Sequence, residues 1–404
     1  MNRKILALTS LLSASLLVGC LSDSDDDDDG NSSAVSSSVA LSAGSSAAEI
    51  SATSSAEEDS SAGSSATEAS AGSSLVLEFT SDYASGALRW LDGDSLSSSL
   101  LEFYEDARIS VQGQYLYVLE RSGTDNLSKL DLSELSTSPT SAVLYQNALA
   151  SGANPEDVAI LNDTIGWLAQ SGNNNLLAFN PKDGSIRDTV DLSAYAQDGE
   201  SSPNPYNLAL SGDTLYVIMQ RLILWSPDKP ALVARFNAQT GTLIDTLQLI
   251  GHNPNAALIY QGKLYVANSG DLMSSDLDST KSIDVLDLAT GTVSQLLNAT
   301  TLGGGPLYLA LDSANGLFYT TVYKSYGAEP VAAVNISDGS ISLDSIPGVV
   351  DAFGGLAFDA SAGILYIGER ETDLSGLKAW DGSALKTISS GDALPPYGIV
   401  VANW

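Results

Sequence analysis

Cysteine and histidine are almost missing from this chain of 404 residues, which has one of each, Cys20 and His252. A lone thiol excludes any internal disulfide. A lone imidazole means that a Ser-His-Asp triad would have to use His252, and no Gly-x-Ser-x-Gly nucleophile context accompanies it. Walker A, dinucleotide-fingerprint and Cys-x-x-Cys-His patterns are absent as well, so nucleotide and c-type haem chemistry lose their usual signatures. Basic residues are scarce, with 17 Lys plus Arg against 49 Asp plus Glu and a formal net charge of −32. A body this acidic repels phosphate backbones, so nucleic acid is not an expected partner.

The N-terminus sets Arg3 and Lys4 before a short apolar stretch that ends in Leu17-Val18-Gly19-Cys20. That stretch is too short to span a bilayer comfortably and reads as a removable export signal over residues 1–19. Its end resembles the lipobox of bacterial lipoproteins, which implies that Cys20 is lipidated and becomes the mature N-terminus. From Leu21 to Ser74 there is no aromatic residue and no Lys or Arg. Such a segment buries too little apolar area to offset its ordering entropy, so residues 20–74 are expected to form a disordered tether. Asp25 to Asp29 are five consecutive aspartates close behind Cys20. An acidic tract there resembles the signal by which some Gram-negative lineages send lipoproteins to the outer face of the outer membrane. The expected address is therefore the cell envelope, on an outer-membrane lipid anchor.

Residues 75–404 are organised differently. An apolar hairpin begins near Arg108, Asp157, Asn207, Asn255, Tyr308 and Gly355, and a seventh first strand begins at Gly398 without its partner. The starts lie about 43 to 53 residues apart, the period of a four-stranded propeller blade. Second hairpins follow with Asp-Gly or Thr-Gly turns, as in "SIDVLDLATGTVSQLL" from Ser282. "LSKLDLSELSTSPTSAVL", from Leu127, lacks a glycine at that turn, which predicts a wider loop. Ser74 to Glu105 holds two or three strands but no first strand, so the C-terminal strand is expected to complete that blade. The expected fold is all-β, a seven-bladed propeller closed by strands from both ends.

Tyr265-Val266-Ala267-Asn268, Ser269-Gly270 and the following "SIDVLDLATGTV" resemble the repeat of YVTN-type β-propellers. The other units keep the aromatic of "LYV" and lose the Asn. The resemblance implies a scaffold, and members of such families bind, scaffold or catalyse.

In a propeller the first strand leaves, and the second returns to, the same mouth of the central channel. Arg108, Asp157, Asn207, Asn255 and Tyr308 are the polar first-strand starts, and Arg221 and Arg370 follow returning strands. Positions two residues further on, such as Ala159, Ala209 and Ala257, are small because blades crowd near the axis. Asn154-Pro155, Asn204-Pro205 and Asn253-Pro254 repeat a stiff turn into three adjacent blades, and His252 precedes the third. These residues are the candidate ligand-binding set. Oxygen donors from Glu156, Asp157, Asn207 and Asn255 would suit calcium, in a loose resemblance to the metal site of lactonase-type propellers. Trp225 stands apart from the other tryptophans, between strands rather than within one, and "SGDLMSSDLDST" is an acidic loop.

The leading expectation is a monomeric, membrane-anchored binding module for an envelope or extracellular protein, a glycan or a small polar ligand, with no cofactor. The alternative is a metal-assisted hydrolase or lactonase at the channel mouth. Because the anchor lies outside the repeat body, Cys20→Ser should yield a folded chain that no longer incorporates labelled palmitate; continued labelling refutes the lipobox assignment.

Overall fold

The computed structural model describes residues 74–97, 101–135, 137–390 and 394–403. The export segment, Cys20, the tether up to residue 73 and Trp404 lie outside the described residues. Among the described residues the strands form seven antiparallel sheets arranged as blades. Among the described residues the first strand is Ser74–Ser81.

Position in the blade explains the hydrophobic pattern. Second strands such as Tyr115–Glu120, Ile165–Gln170, Thr214–Met219 and Ile364–Glu369 are buried on both faces after their first residue. Alternate side chains therefore serve opposite neighbours. Leu116 and Val118 pack toward the blade before theirs, whereas Tyr117 and Leu119 pack toward the blade after it. Outermost strands such as Val143–Ala148 and Leu243–Gln248 alternate or face solvent. Seven apolar clusters result, one between each pair of adjacent blades, including one that joins the last blade to the first.

The first blade has the shared closure expected. Pro396–Asn403 takes the innermost position against Ser74–Ser81, with Leu77 opposite Val400 and Ser74 opposite Asn403. Gly86–Asp92 follows outward, then Leu101–Phe103 and Ser95–Leu96. In the regular blades the outer hairpin turns on a left-handed glycine: Gly291 has φ 71° and donates back to the Asp287 carbonyl at 2.9 Å. The blade without that glycine spans the gap with helical turns Leu132–Leu135 and Pro139–Ala142. Trp90, Trp167 and Trp380 are core residues.

One correction concerns register. Asp157 pairs with Ala169 and Asn207 with Ile218, and the equivalent residue of the next blade is Ala256, opposite Ala267. Asn255 therefore sits one position earlier than assumed. Pro155, Pro205, Pro254 and Pro396 each open an inner strand, and the residue after each proline is an extra one that the partner strand does not match. Proline has no N–H for the ladder, which favours a bulge there. The bulged residues are Glu156, Tyr206, Asn255 and Tyr397. Asn154, Asn204 and Asn253, before three of the prolines, have φ of 48°, 52° and 55°, a left-handed conformation that Asn tolerates better than most residues.

Deleting Pro396–Asn403 should remove the inner strand of the first blade and expose a sheet edge. The expected outcome is aggregation or loss of cooperative melting; a deletion variant that melts like the parent overturns shared closure as the stabilising device.

Candidate functional site at the channel mouth

The bulged residues and the returning strands build one polar cluster. Glu156 is buried, and its Oε2 accepts ion pairs from Arg108 Nε at 3.0 Å and Arg121 Nη1 at 2.8 Å. Its Oε1 accepts from Asn154 Nδ2 at 2.8 Å and Ser171 Oγ at 2.6 Å. The carboxylate is thus satisfied on both oxygens, as a buried charge requires. Arg121 continues to Asp106 Oδ1 at 2.5 Å, and Tyr397 Oη donates to that same oxygen at 3.1 Å. Arg108 donates to the Tyr206 hydroxyl and lies over the Tyr206 ring, 4.1 Å from its centroid.

Arg370 completes the cluster from the other side. It donates to the Pro396 and Ser81 carbonyls and stacks over Tyr83 and Tyr397, at 5.1 and 5.7 Å from the ring centroids. Tyr308 lies in a break of its inner strand, between Gly305–Pro306 and Ala310–Asp312, and its hydroxyl donates to the Phe353 carbonyl at 3.1 Å. It feels the charges of both Arg108 and Arg370. The tyrosines here are held protonated: burial raises Tyr206, Tyr308 and Tyr397, and the nearby guanidiniums offset that only in part. Burial also works to raise Asp106, but Arg121, Ser122 and Tyr397 bring its carboxyl below the ordinary range. Hydrogen-bond donors and aromatic faces therefore dominate the mouth.

Asp157 has a different role. Its Oδ1 accepts from Val158 N–H and its Oδ2 from Leu208 N–H, both at 2.8 Å, which ties its blade to the next. Burial pushes its carboxyl up to about 6 despite those donors and Arg108. The equivalent Asn207 leaves Oδ1 buried without a donor against it. Asn255, at the bulge, donates to the Asn253 carbonyl at 3.0 Å and Ser269 Oγ at 2.6 Å. Glu156 and Asp157 are engaged by arginines and backbone donors, and among the described residues no group of three or more His, Cys, Asp or Glu side chains is placed to hold a metal ion.

Two candidates sit away from the cluster. Arg221 donates to the Tyr195 carbonyl at 3.2 Å and the Pro230 carbonyl at 3.4 Å, bracing the link from the preceding blade and a loop of its own. His252 contacts the Pro227 carbonyl through Nδ1 at 2.5 Å and sits between two loops of adjacent blades. Arg108, Tyr308 and Arg370 are the residues from the candidate set that the structure brings together. Glu156 entered only as an oxygen donor, and Tyr206, Tyr397, Tyr83 and Asp106 were missed altogether. The available signal was the Pro-x step, since three of these five follow Pro155, Pro205 and Pro396 directly.

No family model matches the chain, and no curated protein sequence matches it. Solved structures do. A protein from Bacteroides fragilis described as a candidate 6-phosphogluconolactonase is 12% identical with a TM-score of 0.56, over 82% of this chain and 98% of that one. Dihydro-heme d1 dehydrogenase NirN in complex with DHE is 14% identical with a TM-score of 0.50, over 84% of this chain and 76% of that one. At these identities the likeness is one of fold.

On the same rim lies a carboxyl pair. Glu329 is buried beside Asp351, and burial followed by the Asp351 charge raises the Glu329 carboxyl well above its ordinary value. A raised carboxyl contributes stability fully below its unfolded value, about 4.3, and that contribution is lost as pH rises through the folded value. The melting temperature should therefore fall from weakly acid toward alkaline pH. Glu329→Gln should flatten that fall in calorimetric scans; an unchanged slope shows that this pair does not set it.

Proposed function

We propose that the chain is a lipid-anchored envelope protein of the YVTN type whose propeller binds a protein, glycan or small polar ligand at the channel mouth. The observation that carries this reading is the Arg108, Arg121, Glu156 cluster with Tyr206, Tyr308, Tyr397 and Arg370 around it. Its charges are held by one another, so the groups are fixed before any ligand arrives and little side-chain entropy remains to be lost on binding. Partly exposed tyrosine faces beside guanidiniums suit polar, ring-bearing or hydrogen-bonding ligands. The lipobox at Cys20 and the aspartates behind it support an outer-membrane address, facing outward, with the propeller working as a monomer.

A second reading, a hydrolase acting on lactones, draws on Asp157, whose carboxyl at about 6 is poised near neutrality for proton transfer. The fold it shares with the Bacteroides fragilis protein is compatible with that chemistry, and calcium is the metal its oxygen donors would suit. Both Asp157 oxygens are already bonded to backbone N–H groups, which favours the binding reading.

The test is a glycan array and a panel of purified envelope proteins screened with the full chain, followed by Tyr308→Ala and Arg370→Ala on any hit. These two substitutions leave Glu156 paired, whereas truncating Arg108 or Arg121 breaks a buried ion pair at a cost of about 3–5 kcal/mol. Each should weaken binding by about tenfold or more, the loss of roughly 1.4 kcal/mol. A hit that binds both variants as tightly as the parent refutes the mouth as the site. Turnover of a lactone panel that disappears in Asp157→Asn would establish the hydrolase instead.

A further inference from the structure

The loop after Thr214–Met219 ends in a two-residue hairpin tip. Ile223 and Ser226 exchange backbone hydrogen bonds at 2.9 and 2.8 Å, leaving Leu224 and Trp225 as the central pair. Both are left-handed, with φ of 46° and 71°, the backbone a type I′ turn requires. Asn-Gly is the preferred pair for that turn, and left-handed backbone is disfavoured for side chains as large as Leu and Trp. Neither side chain finds a core: Leu224 is 85% exposed and Trp225 is 55% exposed, against 8% or less for Trp90, Trp167 and Trp380.

The tip is nevertheless well held. Leu224 N–H donates to Glu200 at 2.9 Å, Ser226 Oγ donates to Asp228 at 2.7 Å, and Arg221 braces the base of the loop. Through Pro227 and His252 the loop meets the acidic loop of the next blade, whose Thr280 carbonyl accepts from His252 N–H at 2.8 Å. That second loop exposes Met273 and Leu277 on the same rim. The exposed charge in these loops is predominantly negative. Asp198, Asp228, Asp276 and Asp278 are exposed, and in these loops Lys229 is the exposed base.

We propose that the Leu224-Trp225 tip, together with Met273 and Leu277 of the loop it meets through His252, is a docking surface for a basic protein partner that presents an apolar face flanked by Lys or Arg. Exposed apolar groups at a rigid, sterically disfavoured turn contribute nothing to the core, and a protruding tryptophan is the residue type that most often anchors an interface. The acidic surround selects the sign of the partner and repels anionic lipid. This surface is separate from the channel mouth and does not depend on what binds there.

The full chain is titrated calorimetrically, in about 0.15 M salt to suppress long-range attraction, with two synthetic peptides of equal length and charge. One alternates Lys with Leu and the other Lys with Ser. The parent should bind the Lys-Leu peptide about tenfold or more tightly than the Lys-Ser peptide. The double substitution Leu224→Asn with Trp225→Gly should abolish that preference while raising Tm, because Asn-Gly suits the turn. A preference that survives the substitution overturns the proposal, as does a lowered Tm, which would make the pair structural. Binding of the parent, lost in the variant, to phosphatidylglycerol or phosphatidylcholine vesicles would assign the tip to a membrane. A concentration-dependent dimer of the parent, lost in the variant, would assign it to a second copy. Either result overturns a basic partner.

Discussion

The pairing of Ser74–Ser81 with Pro396–Asn403 is the constraint on which everything else rests. A ring of blades has no stable partial form at its seam, since each blade leaves an apolar face for the next. Here the seam is closed inside a blade, by backbone hydrogen bonds between the two ends of the described body, so opening the ring means breaking a β-ladder as well as a side-chain interface. The same strand also carries part of the polar cluster at the mouth. Tyr397 sits at its bulge, and from there reaches Asp106, Arg121 and Arg370. Closure of the fold and completion of the mouth are thus one event.

The bulges explain how a crowded axis can hold large polar side chains at all. Along the inner strands, regular positions near the axis are small at Ala159 and Ala209, whereas the corrected register puts Leu258 at the equivalent position of the next blade. An extra residue after the proline escapes the strict alternation of the ladder, so Glu156 and Tyr206 can turn toward neighbours in other blades. Arg108 meets both of them, Glu156 from the blade before it and Tyr206 from two blades before. Each contact crosses a blade boundary, which makes the cluster a product of the assembled ring rather than of any one repeat.

The blade pattern was legible because it depends on local chemistry. The apolar run of "TLYVIM" and the Thr-Gly turn before Thr292 express constraints that act within about ten residues. The site was legible only in part, for a physical reason. Matching strand starts by residue type puts Asn255 with Asp157 and Asn207, but all three strands bulge directly after their proline, and counted from Pro254 as from Pro155 and Pro205 the equivalent residue is Ala256, with Asn255 the bulged one. Tyr397 was hidden further, because its neighbours at the mouth, Asp106 and Arg121, lie far away in sequence. The Leu224-Trp225 turn was invisible for the opposite reason: nothing in Ile223-Leu224-Trp225-Ser226 carries the Gly or Asn that marks a left-handed turn.

Those two failures of local reading differ in what they imply. At the bulges, the apparent irregularity is repaired by its surroundings, since Asn before proline accepts a left-handed φ and Glu156 finds four donors. At the turn, no packing offsets the disfavoured backbone, because both side chains face outward. Sequences generally agree with their fold at every level except where a position serves something outside the fold. The mouth cluster meets that agreement internally and so behaves as a preformed, rigid polar surface. The tip does not, and the missing half of its packing is what a partner's apolar face would supply.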